Sequence, residues 1–166
     1  MTRNAIVDAL GVLKAGRIVD LTHLVHPGIQ RFGPFPAMRT EPRYTVAESG
    51  FHVEQVSFVT QYGTHVDAPE HFVEGRRTLE RIELEERSVT AVGHETLDTD
   101  GSADVRARGG LDCEKYVLES DHYQVEVMAN LDKLPSTGGV IFVGLPKFDK
   151  FPGFPVRAWA VVPNED

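Results

Sequence analysis

Three side chains able to move protons or hold a divalent metal, His65, Asp67 and His71, fall at even spacings within Gln61-Tyr62-Gly63-Thr64-His65-Val66-Asp67-Ala68-Pro69-Glu70-His71-Phe72. Gln61 stands four residues before the first of them. Side chains alternate along an extended backbone, so positions 61, 65, 67 and 71 can share one side of a strand. Imidazole and carboxylate facing one way, beside a glycine that permits a sharp turn, are the start of a divalent-metal site. A polar strand edge facing solvent would show the same spacing, which does not decide between the two.

Read as a pattern, Gln-x-Gly-Thr-His-x-Asp-Ala-Pro-x-His-Phe closely resembles the signature of the metal-dependent cyclase-like hydrolases, the family of bacterial kynurenine formamidase and isatin hydrolase. Other segments resemble the family in the same order. Asp20-Leu21-Thr22-His23 with Pro27-Gly28 looks like its N-terminal strand and loop, and Gly93-His94-Glu95-Thr96-Leu97-Asp98-Thr99-Asp100 like the segment after a later core strand. His122-Tyr123-Gln124-Val125-Glu126, then Asn130-Leu131-Asp132, resembles the C-terminal ligand segment, and Gly153-Phe154-Pro155-Val156-Arg157-Ala158 the closing strand.

The resemblance implies one α/β domain over residues 1–166, with a mixed, barrel-like β-sheet core and flanking helices. It implies a metal set of Gln61, His65, Asp67, Glu114 and Glu126, with His71 as general base and then acid. Two positions depart from the commonest family wording: Gln61 and Glu114 stand where histidines are usual. An amide and a carboxylate in place of two imidazoles harden the site, which favours manganese over zinc. A smaller set formed by His65, Asp67 and Glu126 alone is the alternative. The expected chemistry is hydrolysis of a small amide, lactam or related acyl compound by a metal-activated water. A catalytically impaired, truncated member and a metal-dependent cyclase or lyase are the competing readings. The truncated reading arises because Arg77–Glu83 runs almost directly into Leu84–Gly93, where family members carry more elements. The chain therefore reads as shortened near residues 83–87.

Around that centre, His122 is expected to orient a ligand, His94 to border the pocket, and His23 to serve as a hydrogen-bonding brace. Phe32, Phe35, Phe51 and Tyr62 are the candidate pocket side chains. The lone Cys113 excludes an intrachain disulfide and a cysteine-based zinc cluster. A net charge of −8 argues against nucleic acid and anionic membrane as partners. No apolar run approaches the ~20 residues that span a bilayer, and Met1-Thr2-Arg3-Asn4 does not open a secretory signal. These observations predict a cytoplasmic protein acting on a small molecule, and the resemblance adds a homo-oligomer.

Elements must deliver these side chains. Ile6, Ala9, Leu10 and Leu13 fall at helical spacing over Ala5–Ala15, with Asn4 as N-cap and Gly16 as terminator. Arg17–Leu21 reads as a strand, and the Pro- and Gly-rich segment after it as a loop. Val53–Thr60 is a strand delivering Gln61, and Thr78–Arg87 is a helix rich in Glu, Leu and Arg. Asp98–Gly110 reads as a loop, Leu111–Glu119 as a helix and Tyr123–Met128 as a strand. The β-branched runs Gly139–Leu145 and Val156–Val162 are expected to be buried strands, with Trp159 in the core.

Overall fold

The computed structural model describes residues 5–82 and 91–164. In chain order it contains α1 (Ala5–Ala15), β1 (Arg17–Asp20), β2 (Arg39–Tyr44), α2 (Val46–Ser49), β3 (Val53–Ser57) and β4 (His65–Asp67). β5 (Ala91–Gly93), α3 (Ser102–Arg108), α4 (Asp112–Glu119), β6 (Tyr123–Glu126), β7 (Val140–Gly144), β8 (Gly153–Pro155) and β9 (Arg157–Val162) follow. The strands form three sheets, ordered β1-β9-β7, β2-β3 and β5-β6-β4-β8. β5 and β6 run parallel while the other pairs are antiparallel, so the sheet content is mixed as expected. Among the described residues the sheets do not close into a full barrel.

β4 lies between β6 and β8, and all three of its residues are buried. Its Val66 joins Val125 and Val156 in the core with Val19, Ala158, Ala160 and Val162 from the neighbouring sheet. β9 reaches that core because its alternation turns Ala158, Ala160 and Val162 inward. Trp159 points the other way, half-buried, and stacks on Phe142 at 5.4 Å rather than entering the core. β7 is an edge strand, and its Val140 and Ile141 are exposed instead of buried. A β-branched run specifies a strand, but burial needs a covering layer.

Two further readings are corrected. Among the described residues of the expected Thr78–Arg87 helix, Leu79–Arg81 form a single 3₁₀ turn and Ile82 is extended. Leu79 and Ile82 are buried, and the Leu79 N–H is given to Phe151 O, so tertiary contacts replace a regular helical ladder. The remainder of that segment, with the proposed shortening near residues 83–87, lies outside the described residues. The expected loop Asp98–Gly110 contains α3, which ends at Gly109 in the left-handed region (φ 77°). Its Gly, Ser and Asp residues flank and begin the helix, which is why they read as loop. The hairpin of β2 and β3 was legible only in its second half, because Pro42 and four charged or polar neighbours disguise β2.

Candidate metal centre

The pairing of β4 with β6 sets His65 opposite Glu126 and Asp67 opposite Gln124. Directly opposed residues of an antiparallel pair project to the same face. Four polar side chains therefore crowd one face of a buried sheet, with exposures of 2% or less. On the other flank of β4, Gly153 of β8 lies opposite Asp67. A Cβ at Gly153 would sit 2.6 Å from Val66 O and 2.8 Å from Asp67 Oδ1, so glycine leaves the room that the carboxylate occupies. Gly63 turns the chain into β4 with φ 63°, a left-handed conformation that glycine adopts without penalty.

Only His65 and Asp67 meet by the strand period that the sequence suggested. Gln61 precedes the Gly63 turn, and His71 ends a 3₁₀ turn begun by Pro69. Glu114 comes from the first turn of α4, where the Asp100 carboxylate accepts the Cys113 and Glu114 backbone N–H groups, each at 2.9 Å. Leu118, one turn on, is fully buried and holds the helix down.

His65 Nδ1 lies 2.8 Å from Gly63 O, a hydrogen bond that places the proton on Nδ1 and turns Nε2 to the cluster. Nε2 is 3.3 Å from Asp67 Oδ2 and 3.6 Å from Glu126 Oε2. Two donors held by one ion at about 2.1 Å stand roughly 3.0–3.5 Å apart, so this spacing suits a shared cation. Asp67, His71 and Glu114 form a second group, its donor atoms also within 4.8 Å of one another. Asp67 belongs to both groups, as a bridging carboxylate would. Asp67 Oδ2 and Glu114 Oε2 are buried without a hydrogen-bond partner. An uncompensated buried carboxylate oxygen is costly, and a cation is the partner these two lack.

The electrostatics agree. Burial first, then the charges of Glu126 and Asp67, push the Glu114 carboxyl up to about 8. Burial and the Asp67 charge raise Glu126 to about 7. Burial opposes protonation of His65, but the Asp67 charge and hydrogen bond outweigh it and bring the imidazole to about 9. Burial alone would raise Asp67, yet His65 and His71 hold it below its ordinary value. The cluster thus holds more negative charge than its own groups compensate, and protons occupy it where a dication could.

Gln61 lies at the edge of this arrangement. Its amide NH2 donates to Asp67 Oδ1 at 3.1 Å while its oxygen faces the Thr60 hydroxyl, so in this pose it orients Asp67. His71 Nε2 is 3.9 Å from Asp67 Oδ1, and its ring meets Phe72 edge-on at 4.9 Å. Both open into a cavity of about 240 Å³ walled by Phe32, Phe35, Phe72, Leu97 and Leu111, with His65, Asp98, Glu114 and Glu126 also exposed to it.

The remaining candidates divide. Tyr62 is fully buried; its hydroxyl donates to Pro27 O at 3.1 Å and accepts Met38 N–H at 2.9 Å. It braces the two ends of the loop carrying Phe32 and Phe35 instead of lining the cavity. His23 is a brace as expected, binding Thr64 Oγ1 through its N–H and Met128 O through Nε2. His94 reaches within 3.8 Å of Glu126 Oε1 and hydrogen-bonds Thr99. His122 gives its backbone N–H to Val117 O of α4 and is not among the residues lining the cavity. Phe51 sits on the β2–β3 hairpin against Tyr44, away from the cavity lining. Three contributors went unread in the sequence: Gln124, Thr99 and Asp98. The alternation Tyr123-Gln124-Val125-Glu126 could have revealed Gln124, which must share a face with Glu126. Asp98 had no such signal; its left-handed backbone (φ 65°) aims its N–H at Glu126 Oε2, 3.2 Å away.

The fold and the signature stretch are similar to those of known cyclase-like proteins. The family model described as "Putative cyclase" matches residues 19–93, the stretch that holds the whole histidine–aspartate signature. The resemblance seen in the sequence is borne out there. Among solved structures, isatin hydrolase A from Labrenzia aggregata, bound to benzyl benzoate, superposes with a TM-score of 0.81 at 20% identity, covering 97% of this chain and 99% of that one. Isatin hydrolase A from Ralstonia solanacearum gives 0.80 at 18% identity, covering 98% and 99%. A predicted metal-dependent hydrolase from Bacillus stearothermophilus gives 0.66 at 14% identity, covering 88% and 98%. At these identities the likeness is one of fold. No curated protein matches the sequence significantly.

Proposed function

We propose that this chain is a metal-dependent hydrolase of a small amide, lactam or related acyl compound, with manganese or zinc held by His65, Asp67 and Glu126. The observation that carries the reading is the pair of buried, unpartnered oxygens on Asp67 and Glu114 beneath an apolar-walled cavity. A bound divalent cation supplies Lewis acidity and a water nucleophilic near neutral pH. The likeness of the fold to the isatin hydrolases and to a predicted metal-dependent hydrolase supports the same class.

The chain's own residues supply the rest. His65, fixed by Gly63 O, and Asp67, fixed by Gln61, form a rigid donor pair whose geometry is set before any ligand arrives. His71 is half-buried at the cavity floor, free to accept a proton from the attacking water and return it to the departing nitrogen. Phe32, Phe35 and Phe72 exclude bulk water and offer ring faces to an apolar substrate. Hydrolysis would leave a carboxylate product, which Asp98, Glu114 and Glu126 repel, favouring its release. In this reading the partners are a small-molecule substrate and further copies of the chain. Among the described residues no helix is long and apolar enough to cross a membrane.

A second role for His71 has its own support, since its donor atom converges with those of Asp67 and Glu114. There it would help hold a second cation. Reconstitution with manganese or zinc, followed by assay on a panel of formanilides and lactams with detection of the carboxylate product, tests the proposal. Fully metallated protein that turns over no member of the panel would count against hydrolysis, and a rearranged product without uptake of water would indicate the cyclase reading.

A further inference from the structure

Gln124 occupies the register position opposite Asp67 and is completely buried on the sheet face that carries His65, Asp67 and Glu126. A buried carboxamide there must satisfy two donors and an acceptor. Its Nε2 donates to Glu126 Oε1 at 3.0 Å. Its oxygen accepts the Thr99 hydroxyl proton at 2.9 Å. Thr99 Oγ1 lies 3.0 Å from His94 Nε2, and with its proton committed to Gln124 it can only accept there, so His94 Nε2 is the donor. The chain of donors runs one way, from His94 through Thr99 and Gln124 to the Glu126 carboxylate. Reversing the amide would set its oxygen against that carboxylate and its NH2 against a hydroxyl already receiving a proton.

We propose that Gln124 is a positioning residue that holds one oxygen of Glu126 on β6 and directs the other toward the cation, with Thr99 fixing the orientation of its amide. The inference rests on the metal centre proposed above. Glu126 lies beside the buried Asp67 carboxylate, which repels it. An amide donor on Glu126 offsets that repulsion at no cost in net charge. No cation in that place could do this without competing with the metal.

The test is titration of purified protein with Mn2+, followed by the electron paramagnetic resonance of free and bound ion. Loss of such supporting hydrogen bonds costs about 10–100-fold in metal affinity. Gln124→Met, similar in size but unable to donate, should bind Mn2+ weaker by that factor and give an altered bound-ion spectrum at saturation. Thr99→Val should weaken binding several-fold, and Thr99→Ser, which keeps the hydroxyl, should recover it. A purely structural Gln124 would leave the saturated spectrum unchanged. A Gln124→Met protein matching wild type in affinity and spectrum overturns the proposal. Should Gln124→Met not fold, the threonine pair decides: Thr99→Val equal to wild type overturns it, and a deficit restored by Thr99→Ser upholds it. Wild-type protein that binds neither Mn2+ nor Zn2+ would instead remove the metal centre itself.

Discussion

The sheet β5-β6-β4-β8 and the hairpin β2–β3 are built almost in reverse of what side-chain polarity would suggest. β4 and β6 bury a histidine, an aspartate, a glutamine and a glutamate. The hairpin exposes every one of its strand residues, among them Tyr44, Val53 and Val56, with Val46 and Phe51 exposed between the strands. Polar groups can be buried where they satisfy one another or share a cation, and apolar groups stay exposed where the same chain offers no covering layer. A two-stranded ribbon alone is marginally stable in water. The comparison teaches that burial here follows the available partner, not the hydropathy of the residue.

The sharpest way to break the comparison is to remove the carboxylate shared by both donor groups. Asp67→Ala should abolish retention of a divalent ion, read by elemental analysis after dialysis, because no neighbouring donor can rebuild the geometry. His71→Ala should keep the ion yet lose about 10²–10⁴-fold in turnover. Loss of the ion as complete as in Asp67→Ala would make His71 a ligand.

The next contrast concerns stability. Leu118 is fully buried beneath the helix that presents Glu114, and Leu118→Ala should cost about 2–5 kcal/mol in denaturant unfolding. Exposed positions on the hairpin, such as Val53→Thr, should change protomer stability by about 0.5 kcal/mol or less. If copies of the chain associate through this hairpin, Phe51→Ser should shift sedimentation toward monomer at micromolar concentration without changing metal content. A monomeric wild type would remove that expectation.

Acidity separates the two regions again. Glu114, Glu126 and His65 are all raised above their ordinary values, to about 8, 7 and 9. A raised group stabilises the fold fully below its unfolded value and loses that contribution as pH rises through its folded one. Metal-free protein should therefore melt at progressively lower temperature between about pH 5 and pH 9. A cation favours the ionised carboxylates and neutral imidazole, so the melting increment on adding Mn2+ should grow over the same range. An increment independent of pH would mean that the ion binds away from these groups.

Much of the site was legible because its chemistry is local. His65 and Asp67 sit two apart on a strand, and the strand period alone puts them on one face. Glu126 and α4 were likewise readable, since alternation and helix formers announce them. Gln124 lay within reach of that same alternation, but its role depends on the register between β4 and β6, and Asp98 acts through a left-handed backbone that no local pattern announces. The strand expected at Gly139–Leu145 formed but was left largely uncovered, and the described start of the helix expected at Thr78–Arg87 is a 3₁₀ turn, for a related reason: propensity names an element's backbone but not what packs on it.

By itself the sequence pointed to a class of chemistry through its resemblance to a known family, and it determined the order of most strands and helices and the shared face of His65 and Asp67, since residue type and short-range period are written in the chain. Only the tertiary structure decided that Glu114 and Glu126 converge on Asp67 from separate elements, that Gly153 leaves space for the Asp67 carboxylate, and that Gln124 bonds Glu126. Those facts depend on contacts between residues far apart in the chain, where distance is set by packing and hydrogen-bond register rather than by spacing.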